Sequence, residues 1–242
     1  MTSRSRSHVP SVNLTGLYLA PDVVGPHVRA WATRDLDSPR DGAIGAPALP
    51  ALSSERIGQF AAGRRCAARA LEEAGSRDVR VAVGEQGAPE WPAGYVGSIA
   101  HSKTIAWAAA ASTRHVRAIG IDCEPVFDDA AMGDVVPLVM LDRERSRSAE
   151  SGLSAQELAT LVFSAKESLY KCLHPRVRCF FDFVDAEVVS ATAGGALRVR
   201  LLRDLGAGFS RGAELGGRFV VDDEHVHTAI EIGAGETVGD GL

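Results

Sequence analysis

Two helix-forming segments, each accompanied by short strands, constrain this chain more than any other feature. In the first, Ser53 or Ser54 caps a helix that runs to about Ala74, where Gly75 ends it. Ile57, Phe60, Ala61, Ala68 and Leu71 give it an apolar stripe at helical spacing. The second runs from about Ala155 to Leu173. Ser154 and Glu157 match a capping box, Leu158, Leu161, Val162, Ala165, Leu169 and Cys172 form the stripe, and Pro175 stops it.

The strands fall around these helices. Residues 13–52 read as a strand followed by irregular, proline-broken chain. Val79–Val83, Tyr95–Ala100, Thr104–Ala111 and Ala118–Asp122 have strand patterning, with a turn-rich loop from Gly84 to Gly94. The alanine run 108–111 is equally helical on propensity alone. After the polar loop at Asp128 and Asp129 come a short apolar segment, Val135–Leu141, and a charged stretch, Asp142–Glu150. Phe180–Val189, Ala196–Leu202, Arg218–Val221 and Val226–Ile232 read as strands. The expected fold is α+β with two similar lobes, 13–122 and 123–232, between a flexible arm, 1–12, and a loose tail, 233–242.

Composition narrows the function classes. A chain of 242 residues that is 45% hydrophobic can bury a substantial core. A net charge of -5 argues against nucleic acid, and no run approaches the ~18 apolar residues of a membrane span. Cys66, Cys123, Cys172 and Cys179 lack zinc-type spacing and read as reduced thiols of a cytoplasmic protein, expected to be a monomer.

Four constellations carry chemistry. Asp122 and Glu124, in AIGIDCEP, lie on one face of a strand and suit a hard divalent cation that also meets phosphate, although charge at a strand end is common. In FSAKESLYK, Glu167 and Lys171 share a helix face, where a carboxylate could complete a metal site beside a phosphate-neutralising lysine. An ordinary surface pair reads the same way, and Lys166 adds a second cation. His101, in GSIAHS, stands at a turn where imidazole could donate to a phosphate or simply be solvated. Arg64 falls in register with the apolar stripe of the first helix, which calls for snorkelling or an anionic partner; Arg56 lies two turns before it.

In order, RxxxFxxGRxCA, GxPxWPxGxVGSxxHS, IGIDxEP and FSAKESxYK resemble the 4'-phosphopantetheinyl transferases of the surfactin- and enterobactin-synthase type, over roughly Arg56 to Pro175. The resemblance implies a pseudo-twofold α+β fold and transfer of phosphopantetheine from coenzyme A to a serine of an acyl or peptidyl carrier protein, releasing 3',5'-ADP. It implies that Asp122, Glu124 and Glu167 hold Mg²⁺, with Mn²⁺ as the alternative ion. Lys171 would contact the phosphates, His101 would bind a coenzyme A phosphate, and Arg56 and Arg64 would grip the nucleotide end. Lys166 is counted with the cations facing coenzyme A. Glu144 matches a further acidic position; it or Glu167 would take the serine proton. Ala100, Gln86 and Phe163 depart from the usual Ser or Thr, basic residue and Trp of the family. The rival expectations are another Mg²⁺-dependent nucleotide phosphotransferase or hydrolase and a carrier-binding protein without catalysis. The arginines at 143, 145 and 147 are a candidate basic face for an acidic carrier.

Overall fold

The computed structural model describes residues 17–19, 22–36, 53–145, 147 and 151–238. The expected arm, 1–12, most of the proline-broken segment and the last four residues of the tail lie outside them. Among the described residues the order is β1 (Leu17–Leu19), β2 (Arg29–Thr33), α1 (Ser54–Glu73), β3 (Ala82–Val83), β4 (Pro89–Glu90), β5 (Tyr95–His101), β6 (Ala106–Ser112) and β7 (Val116–Pro125). Three short helices follow, α2 (Asp129–Asp134), α3 (Val136–Val139) and α4 (Asp142–Arg145), then the long α5 (Ala155–Val177). The chain closes with β8 (Ala186–Ala191), β9 (Ala196–Leu201), β10 (Glu214–Val221) and β11 (His225–Gly233).

Two antiparallel sheets result, ordered β1-β2-β6-β5 and β7-β11-β10-β9-β8, with β3 and β4 as a separate ribbon. Helix α1 packs on the first sheet and α5 on the second, which gives the two similar α+β lobes. Strand β7 belongs to the second sheet over its whole length. The facing edges β5 and β7 lie side by side, where the Ile121 N–H donates to Ser98 Oγ at 3.2 Å.

The alanine run is strand because both of its faces are buried. Ala108 and Ala110 pack with Cys66, Ala67, Ala70 and Leu71 beneath α1. Ala109 and Ala111 point the other way, into a core shared with Val116, Ile119, Ile121 and Cys123 of β7. Period-two burial overrides the helical preference of alanine. The larger core of the second lobe gathers Leu158, Leu161, Val162, Leu169 and Leu173 of α5 over Val188, Leu197, Val199, Leu215 and Ile230. Each such side chain contributes about 1.5–3 kcal/mol by leaving water.

Several boundaries and one helix face differ from expectation. Helix α1 starts on Ser53, whose hydroxyl accepts from the Arg56 N–H, but it buries Gln59, Ala62, Gly63, Cys66, Ala67, Ala70 and Leu71. The expected stripe is only partly buried: Leu71 and the in-register Arg64 are inside, whereas Ile57 is 53% exposed. Small residues win because they let α1 approach the sheet; a Cβ on Gly63 would stand 2.7 Å from Ile99 Cγ2. The strand expected at 79–83 shrinks to its last two residues, and Arg64 takes the carbonyls of Val81 and Ala82. The strand expected from Thr104 begins at Ala106, after a turn closed by the Ser102 N–H on Ile105 O at 2.8 Å.

In α5 the Ser154–Glu157 capping box is present, and the helix passes through Pro175 to end on left-handed Arg178. A proline so near the end removes one late ladder bond, and the Arg176 guanidinium on the Arg117 carbonyl anchors the last turn. Phe183–Asp185 form a short 3-10 turn capped by Asp182, so the strand there starts at Ala186. The first half of the tail is fastened: Ala234 N–H donates to His115 O, and Val238 packs on the second core.

Gly120 sets the contact between α5 and β7. A Cβ there would fall inside the van der Waals shell of the Ser168 carbonyl and the Cys172 backbone. Gly120→Ala is therefore expected to destabilise the protein by about 3 kcal/mol or more, since backbone on both sides cannot yield. Urea denaturation checks this; a loss near zero would mean the helix stands off the strand.

Candidate active site at the lobe seam

The close approach at Gly120 brings the two acidic motifs together. Asp122 lies two residues further along β7, buried, and Lys171 projects from α5 to donate to Asp122 Oδ1 at 2.6 Å. Asp122 Oδ2 is buried without a hydrogen-bond partner. Glu124 and Glu167 are each half-buried on the same two elements.

The four groups perturb one another. Burial, with the charges of Asp122 and Glu167, pushes the Glu124 carboxyl up to about 8 against the opposing Lys171. Burial also raises Glu167, with Asp122 adding and Lys171 opposing. For Lys171, burial favours the neutral amine, but the charge and hydrogen bond of Asp122, with Glu167, outweigh it and raise its pKa. Three carboxylates thus share one ammonium, and the negative charge in excess is relieved only by protons or by another cation.

Among the described residues, no three acidic, histidine or cysteine side chains stand close enough as they are to enclose one ion. The donor chemistry nevertheless fits Mg²⁺: hard carboxylate oxygens, one of them buried and unpartnered, and a second carboxyl driven towards protonation. Because Glu124 keeps its proton in the folded chain to about pH 8, its stabilising contribution is complete below the ordinary carboxylate range. That contribution is lost as pH rises towards 8. In EDTA, the melting temperature of the protein relative to Glu124→Gln is expected to fall between about pH 5 and about pH 8. A pH-independent difference would contradict it.

His101 ends β5 on the same side of the molecule. Burial lowers its imidazole pKa, and so do the charges of Lys171 and Arg56, with Asp122 opposing, which places it among these groups. Arg56 stands exposed in the first turn of α1.

Arg64 is buried, with Nε on Val81 O at 3.1 Å, Nη2 on Ala82 O at 3.4 Å, and its guanidinium 4.5 Å from the Phe60 ring centroid. Burial lowers its pKa, and no carboxylate pairs with it among the described residues. It therefore has a structural task, and among the described residues its positive charge has no carboxylate to answer it.

Glu144 and Lys166 are not brought to the cluster. They form a buried pair with each other instead, at 2.9 Å. Lys166 also donates to Val139 O at 2.8 Å, while Glu144 accepts from the backbone N–H groups of Leu141 and Val188, both at 2.7 Å. Both carboxylate oxygens are thus engaged. The arginines of α4 and the turn after it are similarly occupied: Arg143 and Arg147 reach the buried Glu187, and Arg145 reaches Asp142. Ala100 faces the core between the lobes, Phe163 packs against Phe127 and Phe183, and the side chain of Gln86 lies outside the described atoms.

Two features beside the site were not read from the sequence. One is a cavity of ≈ 190 Å³ lined by Lys166, Glu167, Tyr170, Phe180–Phe183 and Ala186. The other is a cluster of half-buried Asp222 with buried His225 and His227 that reaches the turn after His101. The alternating HVH was its only trace in the sequence, within a segment that reads as plain strand.

An α+β chain of two helix-on-sheet lobes, with a carboxylate–lysine cluster at their seam, is the class that fold and site define. Residues 46–111 match the 4'-phosphopantetheinyl transferase N-terminal domain, and residues 118–229 match the 4'-phosphopantetheinyl transferase superfamily. The chain is 35% identical over 168 residues to 4'-phosphopantetheinyl transferase Svp of Streptomyces mobaraensis, covering 68% of this chain and 65% of that protein. It is 31% identical to 4'-phosphopantetheinyl transferase PptT of Mycobacterium tuberculosis, over 61% of this chain and 64% of that one. To enterobactin synthase component D of Salmonella typhimurium it is 37% identical, over 60% and 59% of the two chains. The matched segments span less than two thirds of these relatives' length. The chain belongs to the 4'-phosphopantetheinyl transferase superfamily.

Proposed function

We propose that this protein transfers the 4'-phosphopantetheine group of coenzyme A to a serine of an apo acyl or peptidyl carrier protein, releasing 3',5'-ADP. The observation that carries the reading is the meeting of IGIDCEP and FSAKESLYK at one point, with Lys171 on Asp122 and Glu124 and Glu167 beside them.

Asp122, Glu124 and Glu167 would hold Mg²⁺, or Mn²⁺ in its place, which when bound supplies Lewis-acid neutralisation of the pyrophosphate oxygens. The chain's own groups do the rest. The serine oxygen bonds to the β-phosphorus while the bond from that phosphorus to the bridging oxygen breaks. The ammonium of Lys171 offsets the charge that appears on the departing oxygen. The serine proton passes to Glu167, directly or through water. Glu144, saturated by Lys166 and two backbone N–H groups, leaves the base role to Glu167.

His101, Arg56 and Arg64 would receive the phosphates of coenzyme A. Arg64 carries a buried positive charge that an anion would compensate. Arg64→Ala is expected to weaken coenzyme A by at least about tenfold more than 3'-dephospho-coenzyme A, as measured by calorimetry. Equal losses would confine Arg64 to bracing the 81–82 carbonyls. Free thiols at Cys66, Cys123, Cys172 and Cys179, three of them buried, accord with a reducing cytoplasm.

The test of the reaction is the dependence of 3',5'-ADP release on an apo-carrier protein. Release only when the carrier is present supports group transfer. Release without it would assign the site to nucleotide hydrolysis, and no release under either condition to carrier binding alone.

A further inference from the structure

We propose that His225 is a positioning residue that reaches across from the second lobe, clamps the turn at 102–105 and so fixes His101 against the Asp122–Lys171 cluster. The inference rests on the reading of His101 as a group that meets coenzyme A.

His225 opens β11 and is 2% exposed. Its Nε2 lies 2.8 Å from Thr104 Oγ1 and 3.3 Å from Ser102 Oγ, contacts that join the two lobes. A hydroxyl both donates and accepts, so Nε2 is answered whether or not it carries the proton, while Nδ1 is buried without a hydrogen-bond partner. Within the turn the Thr104 N–H donates to Ser102 Oγ at 3.3 Å. From the opposite flank, Gln59 Nε2 of α1 donates to Ser102 O at 3.2 Å. The residue directly after His101 is thus held by α1 on one side and β11 on the other.

The clamp has its own footing. Asp222 Oδ1 accepts from the N–H of His225 at 2.7 Å and of Glu224 at 2.9 Å, while Oδ2 lies 3.0 Å from His227 Nε2. The His227 ring stands edge-on to buried Trp107 of β6. His225 is therefore a fixed post. His101, by contrast, stands at the end of a sheet-edge strand, its ring partly desolvated but with a face open to solvent. Fixing one backbone residue costs about 1–2 kcal/mol. A turn ordered before the ligand arrives spares binding that cost.

The test uses the full-length protein with Mg²⁺, and coenzyme A as the probe. His225→Phe keeps a ring of similar volume without nitrogens, and Thr104→Val keeps the shape of threonine without its hydroxyl. Each is expected to weaken coenzyme A about tenfold in calorimetry, with little further loss in the double variant. KM for the carrier should stay unchanged, and His225→Gln should recover part of the loss. In a His101→Ala background neither substitution should weaken coenzyme A further. Without ligand, the His101 ring resonances should shift or broaden in Thr104→Val. Persistence of the full loss in the His101→Ala background, or unchanged His101 resonances in Thr104→Val, would overturn the clamp. Failure of the unsubstituted protein to bind coenzyme A would instead sink the functional reading, and the His101 resonances would still report on the clamp.

Discussion

Replacing Asp122 by Ala is expected to lower carrier-modification turnover by at least about 100-fold, the scale of losing a major electrostatic element at a reacting centre. Asp122 holds Lys171 at 2.6 Å and turns a second, unpartnered oxygen into the site, so its loss disarms the ammonium and the carboxylate set together. Asp122→Asn separates charge from shape. It should fold nearly as the parent does, yet lose most of the turnover. EDTA should abolish activity in the parent protein, and Mg²⁺ should restore it. Initial rates at saturating coenzyme A and carrier check all three; near-parental turnover in Asp122→Asn would remove this residue from the reacting centre.

The second large effect concerns stability. Glu144→Ala should destabilise the protein by about 3–5 kcal/mol, because Lys166 would be left charged and buried with only the Val139 carbonyl and two backbone N–H groups would lose their acceptor. Lys166→Met should cost a similar amount by stranding the carboxylate. The double substitution Glu144→Leu with Lys166→Met should recover much of the loss of the lysine change, since a buried pair often breaks even against apolar side chains. Denaturant titration measures each. Should Glu144→Gln keep its stability but lose turnover, the carboxylate would instead serve the reaction.

How much of this was legible in the sequence depends on the range of the interaction. The capping box at Ser154 and Glu157 and the strand that ends in IGIDCEP are local patterns, and both stand in the structure. The buried face of α1 was not legible, because a stripe counted by hydrophobicity favours Ile57 and Phe60. The sheet instead selects the smallest side chains, around Gly63 and Ala67. Within the site, Asp122, Glu124, Glu167, Lys171 and His101 could be named from spacing and family resemblance. The Lys166–Glu144 pair could not, since adjacent lysines and glutamates on a helix look alike until tertiary contacts separate their faces. The clamp formed by Thr104 and His225 joins residues 121 positions apart, a distance at which no local pattern operates.

Phosphopantetheine transfer at the seam of the two lobes is read out by intact-protein mass spectrometry of an apo-carrier incubated with coenzyme A, Mg²⁺ and either the parent protein or Asp122→Asn. A mass increase of one phosphopantetheine is expected with the parent. The increase should vanish when the carrier's acceptor serine is replaced by Ala and be strongly reduced with Asp122→Asn. Carriers of the acyl and peptidyl classes that all remain unmodified by folded, coenzyme A-bound protein would contradict it, as would modification that proceeds undiminished with Asp122→Asn.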